Sequence, residues 1–180
     1  STPPNYPQAS ADKAVDGNTN SDFKDRSTTH TMKDANAWWE VDLGAHFKIT
    51  DIKLYNRTDC CSNRLKNFWV MVSNKPFNDA KLFEANKIAH WKTHEKGFIG
   101  KNKTYTINTV GRYVRIQLVY PGFLSLAEVE VFGGHKPLKE TERVENLGID
   151  KPARQSSTYS SHGSADKAVD GNTNSDFKDR

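Results

Sequence analysis

Seventeen consecutive residues, "SADKAVDGNTNSDFKDR", occur twice in this chain, as Ser10–Arg26 and as Ser164–Arg180. The segment is not low in complexity, so compositional bias does not produce it. An identical stretch at an offset of 154 residues has the period of a whole domain, which implies tandem modules rather than a short solenoid repeat. Residues 1–134 are expected to form the body of one module. His135–Glu145, "HKPLKETERVE", is charged and aperiodic and reads as a linker. Residues 146–180 read as the beginning of a second, truncated copy. The first copy lacks a counterpart of "NLGIDKPARQ", so the chain reads as a window on a longer array. The expectation is that about Asn146–Ser157 fills the missing edge of the first module, in cis or by strand swapping between chains.

Apolar residues make up 35% of the chain and aromatics 11%, with a mean hydropathy of -0.80. These values suit a compact, rather polar domain. No run approaches the ~18 apolar residues of a membrane span, so no membrane insertion is expected. The opening "STPPNYPQAS" has neither the basic nor the apolar region of a signal peptide; a soluble chain without its targeting segment is expected. The net charge of +4 and pI near 9.0 raise the question of nucleic acid. Lysines gather between Lys81 and Lys103, but Glu84 and Glu95 interrupt them and no nucleic-acid-binding signature accompanies them. A solvated basic face, without a nucleic-acid partner, is the expectation.

Several short stretches alternate at the two-residue period of a half-buried strand. Trp39, Val41 and Leu43 share one face, as do Ile52 and Leu54, then Val114, Ile116 and Leu118, and finally Val129 and Val131. "NFWVMVS" is continuously apolar and predicts a strand buried on both sides. No segment predicts a long amphipathic helix. The pattern gives an all-β antiparallel sandwich with functional loops at one end.

The chemistry concentrates in "RTDCCSNR", Arg57–Arg64. Asp59 between Arg57 and Arg64 can hold both guanidiniums through charge-assisted bonds, and planar donors so held suit sugar hydroxyls, a carboxylate or a phosphate. A surface salt-bridge cluster, worth ~0–1 kcal/mol per pair, explains the same residues. Cys60 and Cys61 are the only cysteines. Oxidised, they would close an eight-membered ring with Cα atoms ~3.8 Å apart, below the ~4.4 Å of ordinary disulfides, and form a rigid apolar ridge. Reduced, they would be small buried hydrophobes. Two glycosylation tripeptides, Asn56-Arg57-Thr58 and Asn102-Lys103-Thr104, would be usable in a secreted chain.

His30 precedes Arg57 with 26 residues between them, and Arg-Thr-Asp is followed four residues later by Arg64. This His…Arg-x-Asp-x(4)-Arg pattern resembles the sugar-binding signature of the F-type lectins, the fucolectins, in which vicinal cysteines are frequent. "HTMKDANAWWEVDLG", "GRYVRIQL" and "LAEVEVFG" resemble landmarks shared with the wider discoidin-like (F5/8 type C) superfamily. The resemblance covers about 1–134 and the partial copy from Asn146. It implies a jelly-roll, discoidin-like sandwich; a secreted, non-enzymatic lectin; and terminal L-fucose on glycans as ligand, for glycan recognition, agglutination or innate immune recognition. His30 would bond the axial hydroxyl, with Arg57 and Arg64 donating to adjacent hydroxyls and the ring oxygen. Asp59 would orient the arginines, Cys60–Cys61 would pack on the ring, and Phe23 would help enclose the C6 methyl.

The repeated segment resembles the family's calcium loop. The resemblance implies a structural Ca2+ held by side-chain oxygens of Asp16, Asn18, Ser27 and Glu128 and backbone carbonyls of Lys13 and Ala127, a hard-oxygen set. An Asp-Gly-Asn turn explains the local residues equally well. Thr28 and Ala127 stand where some relatives carry a disulfide, and Lys24 where an aromatic can occur. The second copy has Asp170, Asn172 and Phe177 but no equivalents of Ser27, His30 or the arginine motif, so it cannot form a sugar site within this chain. Two other readings explain less of the sequence. A discoidin-like module binding membrane or protein would leave the His–Arg–Arg spacing an accident. A hydrolase using His30 and Asp59 lacks a nucleophile, paired carboxylates or a catalytic metal set.

Overall fold

A computed structural model describes residues 7–134 together with 136 and 137. Apart from Lys136 and Pro137, the expected linker lies outside the described residues, as do the second copy and the edge-filling segment. Five strands carry the fold: β1 (Trp38–Asn56), β2 (Lys66–Ser73), β3 (Trp91–Phe98), β4 (Asn102–Leu118) and β5 (Leu126–Gly133). They pair in the order β3-β2-β4-β1-β5, and every pairing is antiparallel.

The two long strands make two layers out of this one ladder. Register shifts between Asp42 and Phe47 and between Ile49 and Asp51 break the β1–β4 pairing, and such bulges bend a strand. On one side of the bend β1 and β4 join β2 and β3; on the other they join β5. The backbones come close here: a Cβ at Gly111 would lie 2.2 Å from Val72 Cγ1, and one at Gly133 would lie 2.1 Å from the Lys48 carbonyl oxygen.

Register follows the apolar alternation. Trp39 pairs with Ile116, Val41 with Val114, Ile52 with Tyr105 and Leu54 with Val129, and a one-residue slip would turn every one of them to the wrong face. Trp39, Ile52, Leu54, Phe68, Val70, Val72, Val114, Ile116, Leu118 and Val129 meet in a single core, with Val41, Leu43 and Val131 half-buried against it. "NFWVMVS" is covered on both sides, as its continuous apolarity predicts. Phe68, Val70 and Val72 enter the main core, while Met71 enters a second cluster with Phe77, Ala85 and Ala89.

That second cluster differs from the sequence reading. The lysine-rich stretch is more than a solvated face: it contains a short helix, α1 (Leu82–Ile88), and the edge strand β3. The helix buries only Ala85, too narrow a stripe to give a helical period. The lysines of β3 are what an exposed sheet edge uses to discourage pairing with other chains. No helix among the described residues is long and apolar enough to cross a membrane.

Candidate functional site

Three loops meet at the end of the sandwich where β1 stops and β5 starts. The first is built by alternation. Thr29 and Thr31 donate backbone N–H groups to the carbonyls of Leu126 and Leu124 (2.8 and 3.0 Å), while their hydroxyls accept the N–H groups of those residues (both 2.9 Å). Both threonines are thus fastened to the chain entering β5, and the two-residue period turns His30, between them, the other way.

Upstream, "DGNTNSDFK" is a ladder. The side-chain oxygens of Asp16, Asn18, Asn20 and Asp22 each accept the N–H two residues on, from Asn18, Asn20, Asp22 and Lys24 at 2.9–3.0 Å. Alternating Asp and Asn therefore make consecutive side-chain turns, which deliver Phe23 at the start of a 3-10 turn, Phe23–Asp25.

The arginine loop follows β1. Arg57 donates from Nε and Nη2 to the two oxygens of Asp59 at 2.8 and 2.9 Å, a bidentate pair whose side chains are only 11% and 12% exposed. Asp59 Oδ1 also accepts the Phe23 N–H at 3.1 Å, which ties this loop to the previous one. These donors, the Arg57 bond first, hold the Asp59 carboxyl down to about 2. Asp59 does not hold both arginines as expected. Arg64 lies instead with its guanidinium 5.0 Å from the Phe123 ring centroid, and Tyr120 hydroxyl donates to its carbonyl. Cys60 and Cys61 are disulfide-bonded, with Cα atoms 3.8 Å apart, so the oxidised reading holds. Cys61 takes the left-handed conformation and starts the 3-10 turn Ser62–Arg64.

Phe23, His30, Arg57, Asp59, Cys60, Cys61 and Arg64 line one open depression of about 340 Å³, together with Lys24. Phe123, which sequence reasoning missed, completes its frame. The rings of Phe23 and Phe123 meet His30 edge-on at 5.7 and 5.4 Å, and Arg57 lies 4.2 Å over Phe23. No spacing rule connects "PGF" to a histidine more than ninety residues earlier; the Thr29–Leu126 and Thr31–Leu124 pairings do. His30 Nδ1–H donates to its neighbour's carbonyl, Thr31 O, at 2.7 Å. Burial, then the charges of Arg57 and Arg64, outweigh that bond and push the His30 pKa below its ordinary 6.5. A neutral ring donating at Nδ1 presents Nε2 as an acceptor. The site therefore sets one acceptor beside two guanidinium donors, a pattern for neighbouring hydroxyls that each donate and accept.

Asp16 and Glu128 meet behind this loop. Gly17 N–H donates to Glu128 Oε1 at 3.3 Å, while the other oxygen, Oε2, is buried without a hydrogen-bond partner. Burial and the neighbouring Asp16 raise the Glu128 pKa. Lys13 Nζ lies 3.3 Å from Asp16, and Ser27 donates its hydroxyl to the Asp22 carbonyl at 2.8 Å. Among the described residues no three His, Cys, Asp or Glu side chains converge on a metal position, but the expected set contains only two carboxylates. A buried carboxylate oxygen without a donor, beside a second carboxylate, fits a bound cation.

The two glycosylation tripeptides also separate here. Asn56 is 1% exposed and its amide donates to the carbonyls of Ser62 and Gly100 at 2.9 and 3.0 Å. A glycan on Asn56, beside Arg57, has no room there.

Residues 13–116 match the family model described as NedA-like, galactose-binding domain. Fucolectin-6 of Anguilla japonica is 35% identical over 124 residues, 67% of this chain and 62% of that protein. The fucolectin of Anguilla anguilla is 34% identical over 125 residues, 67% of this chain and 75% of its own length. The chain spans 61–65% of the first three curated relatives it matches. Among solved structures, the lectin domain of lectinolysin complexed with Lewis B antigen superposes with a TM-score of 0.62 at 38% identity, covering 71% of this chain and 86% of that one. The fucolectin from Morone saxatilis (striped bass) serum gives 0.66 at 33% identity, over 96% of this chain and 56% of the other.

Proposed function

This chain belongs to the fucolectin family, and on that premise we propose that it is a secreted, non-enzymatic, calcium-dependent lectin that binds terminal L-fucose on glycans. The observation that carries the reading is the convergence of His30, Arg57 and Arg64 on one depression. The relatives named for fucose or complexed with Lewis B support the ligand class.

His30 Nε2 accepts a hydrogen bond from the axial hydroxyl. Arg57 and Arg64 donate to the adjacent hydroxyl and ring oxygens, bonds to charged groups worth ~1.5–3 kcal/mol each. Asp59 acts through Arg57, fixing its fork. The Cys60–Cys61 ridge packs on the apolar face of the ring, and Phe23 encloses the C6 methyl. A sugar lacking the axial hydroxyl would leave the His30 Nε2 acceptor unpaired, which is where discrimination arises. Calcium would be held by Asp16, Asn18, Ser27, Glu128 and the carbonyls of Lys13 and Ala127; when bound it supplies the positive charge that buried Glu128 lacks. The ion would fasten the Asp16–Phe23 ladder to β5 without touching sugar. Fucosylated glycans of foreign or host surfaces would be the partners, and agglutination or immune recognition would need a second site, from an oligomer, a tandem array or a strand-swapped assembly.

Calorimetric titration with L-fucose in calcium, repeated with a chelator, tests this. Saturable binding that weakens on chelation is expected, with D-fucose silent. No heat from L-fucose or a fucosylated glycan in calcium would refute the proposal.

A further inference from the structure

We propose that Asn102 is an N-glycan acceptor of this chain and that Asn56, which carries the same tripeptide signal, is not. The inference rests on secretion, part of the function proposed above, but not on fucose binding.

Two identical signals are sorted by one crossing of the chain. Asn102 opens β4, directly after the turn through Gly100, which adopts the left-handed conformation (φ +68°). The two-residue strand period puts Asn102 and the hydroxyl residue Thr104 on the same side, and both are exposed. No hydrogen bond among the described residues engages the Asn102 amide. An oligosaccharide there would project from the outer face, opposite to that of the core residues Tyr105 and Ile107.

Asn56 is the reverse in each respect. Both amide hydrogens are engaged, on Ser62 O and Gly100 O, and its backbone N–H donates to the Lys101 carbonyl at 2.9 Å. Its partner hydroxyl is engaged too, since Thr58 donates to Ser21 Oγ at 2.8 Å. Asn56 is the clip that fixes the turn from which Asn102 projects, and it also fixes the backbone entering Arg57. A sugar on Asn56 would replace one of these hydrogens and open the clip. Chains modified there would not reach this fold.

The transfer is to the Asn102 amide. Nδ2 forms a bond to C1 of the first sugar of a lipid-linked oligosaccharide diphosphate. The C1–O bond breaks, the lipid diphosphate leaves with the electron pair, and the displaced amide proton passes to a base of the transferase.

The test uses the whole chain fused to a eukaryotic signal peptide and secreted from insect cells. Site mapping by peptide mass spectrometry after endoglycosidase release should place sugar on Asn102 alone. The mobility shift on endoglycosidase treatment should vanish in Asn102→Gln and Thr104→Ala. Both variants change exposed residues, so secretion should persist. Secreted wild-type chain without sugar at Asn102, or with sugar at Asn56, would overturn the proposal. L-fucose titration of the same samples reports separately, so a chain glycosylated at Asn102 that ignores fucose would refute the lectin reading alone.

Discussion

Of the places where guanidinium groups lie over aromatic rings, two differ most in how fully their donors are used. Arg115 is fully buried. It lies 4.1 Å over Trp38 and 4.9 Å from the Phe77 centroid. Its nitrogens donate to Glu40 at 2.8 Å, to the Ala80 carbonyl at 3.2 Å and to the Asn78 carbonyl. Those bonds staple the segment before α1 onto the outer face of the sheet, and nothing is left to offer a ligand. At the loop end of the sandwich Arg57 and Arg64 face the open depression beside Phe23 and Phe123, and Arg64 makes no guanidinium hydrogen bond among the described residues. The residue types are the same in both places. What differs is whether the fold uses up the donors or orients them and leaves some unused.

The largest effect should come from the closed region. Arg115→Met leaves Glu40 and two carbonyls without donors, and breaking such a buried pair costs about 3–5 kcal/mol. Thermal unfolding should report a large fall in Tm, with the L-fucose affinity of the folded protein unchanged. Arg64→Ala should do the opposite, weakening L-fucose ~100-fold or more through loss of charge-assisted bonds while Tm moves by at most about 3 °C. If both substitutions changed stability alone, the contrast between the regions would be wrong.

Chelation comes next. Calcium at ~100 times its Kd contributes about 2.7 kcal/mol, so its removal should lower Tm by roughly 5–10 °C. Glu128→Gln should abolish that calcium-dependent shift, and because it removes a buried unpaired charge its metal-free form should be no less stable than wild type. A smaller effect sharpens the role of Phe123. An exposed cation–π contact is worth ~0.5–1 kcal/mol, so Phe123→Ala should weaken L-fucose about 2–5-fold.

Acid should separate His30 from Asp59. His30 has a lowered pKa in the fold, so the folded chain binds its proton less readily than the unfolded one. Its contribution to stability is complete above about pH 6.5 and falls as pH drops through the folded value. Sugar binding through His30 Nε2, as proposed, should fall as folded His30 protonates. The Asp59–Arg57 pair contributes above the ordinary 3.8 and fades only toward about 2. A titration series between pH 7 and 4.5 should therefore show affinity loss that His30→Gln removes, and a profile unchanged by that variant would count against His30 as acceptor.

Much of this was legible in the sequence because it was local. Trp39, Ile52, Leu54 and Val114 announced their strands by alternation, and His30, Arg57 and Arg64 by spacing. What escaped depended on contacts across the fold. Helix α1 buries a single alanine and gives no stripe, and β3 hides its strand character under edge lysines. Phe123 reaches His30 through the Thr29–Leu126 and Thr31–Leu124 pairings. Asp59 stands between two arginines in sequence, but its two oxygens are filled by Arg57 and Phe23. The burial of Asn56 is set by Ser62 and Gly100, which its tripeptide does not contain.

The most direct test of the central claim is a paired measurement on wild type and Arg64→Ala: L-fucose titration in calcium together with thermal unfolding of the same samples. Wild type should bind saturably, the variant should lose that binding, and the two Tm values should agree within about 3 °C. Equal affinities would contradict the claim, because Arg64 would then be no more a ligand-binding residue than Arg115.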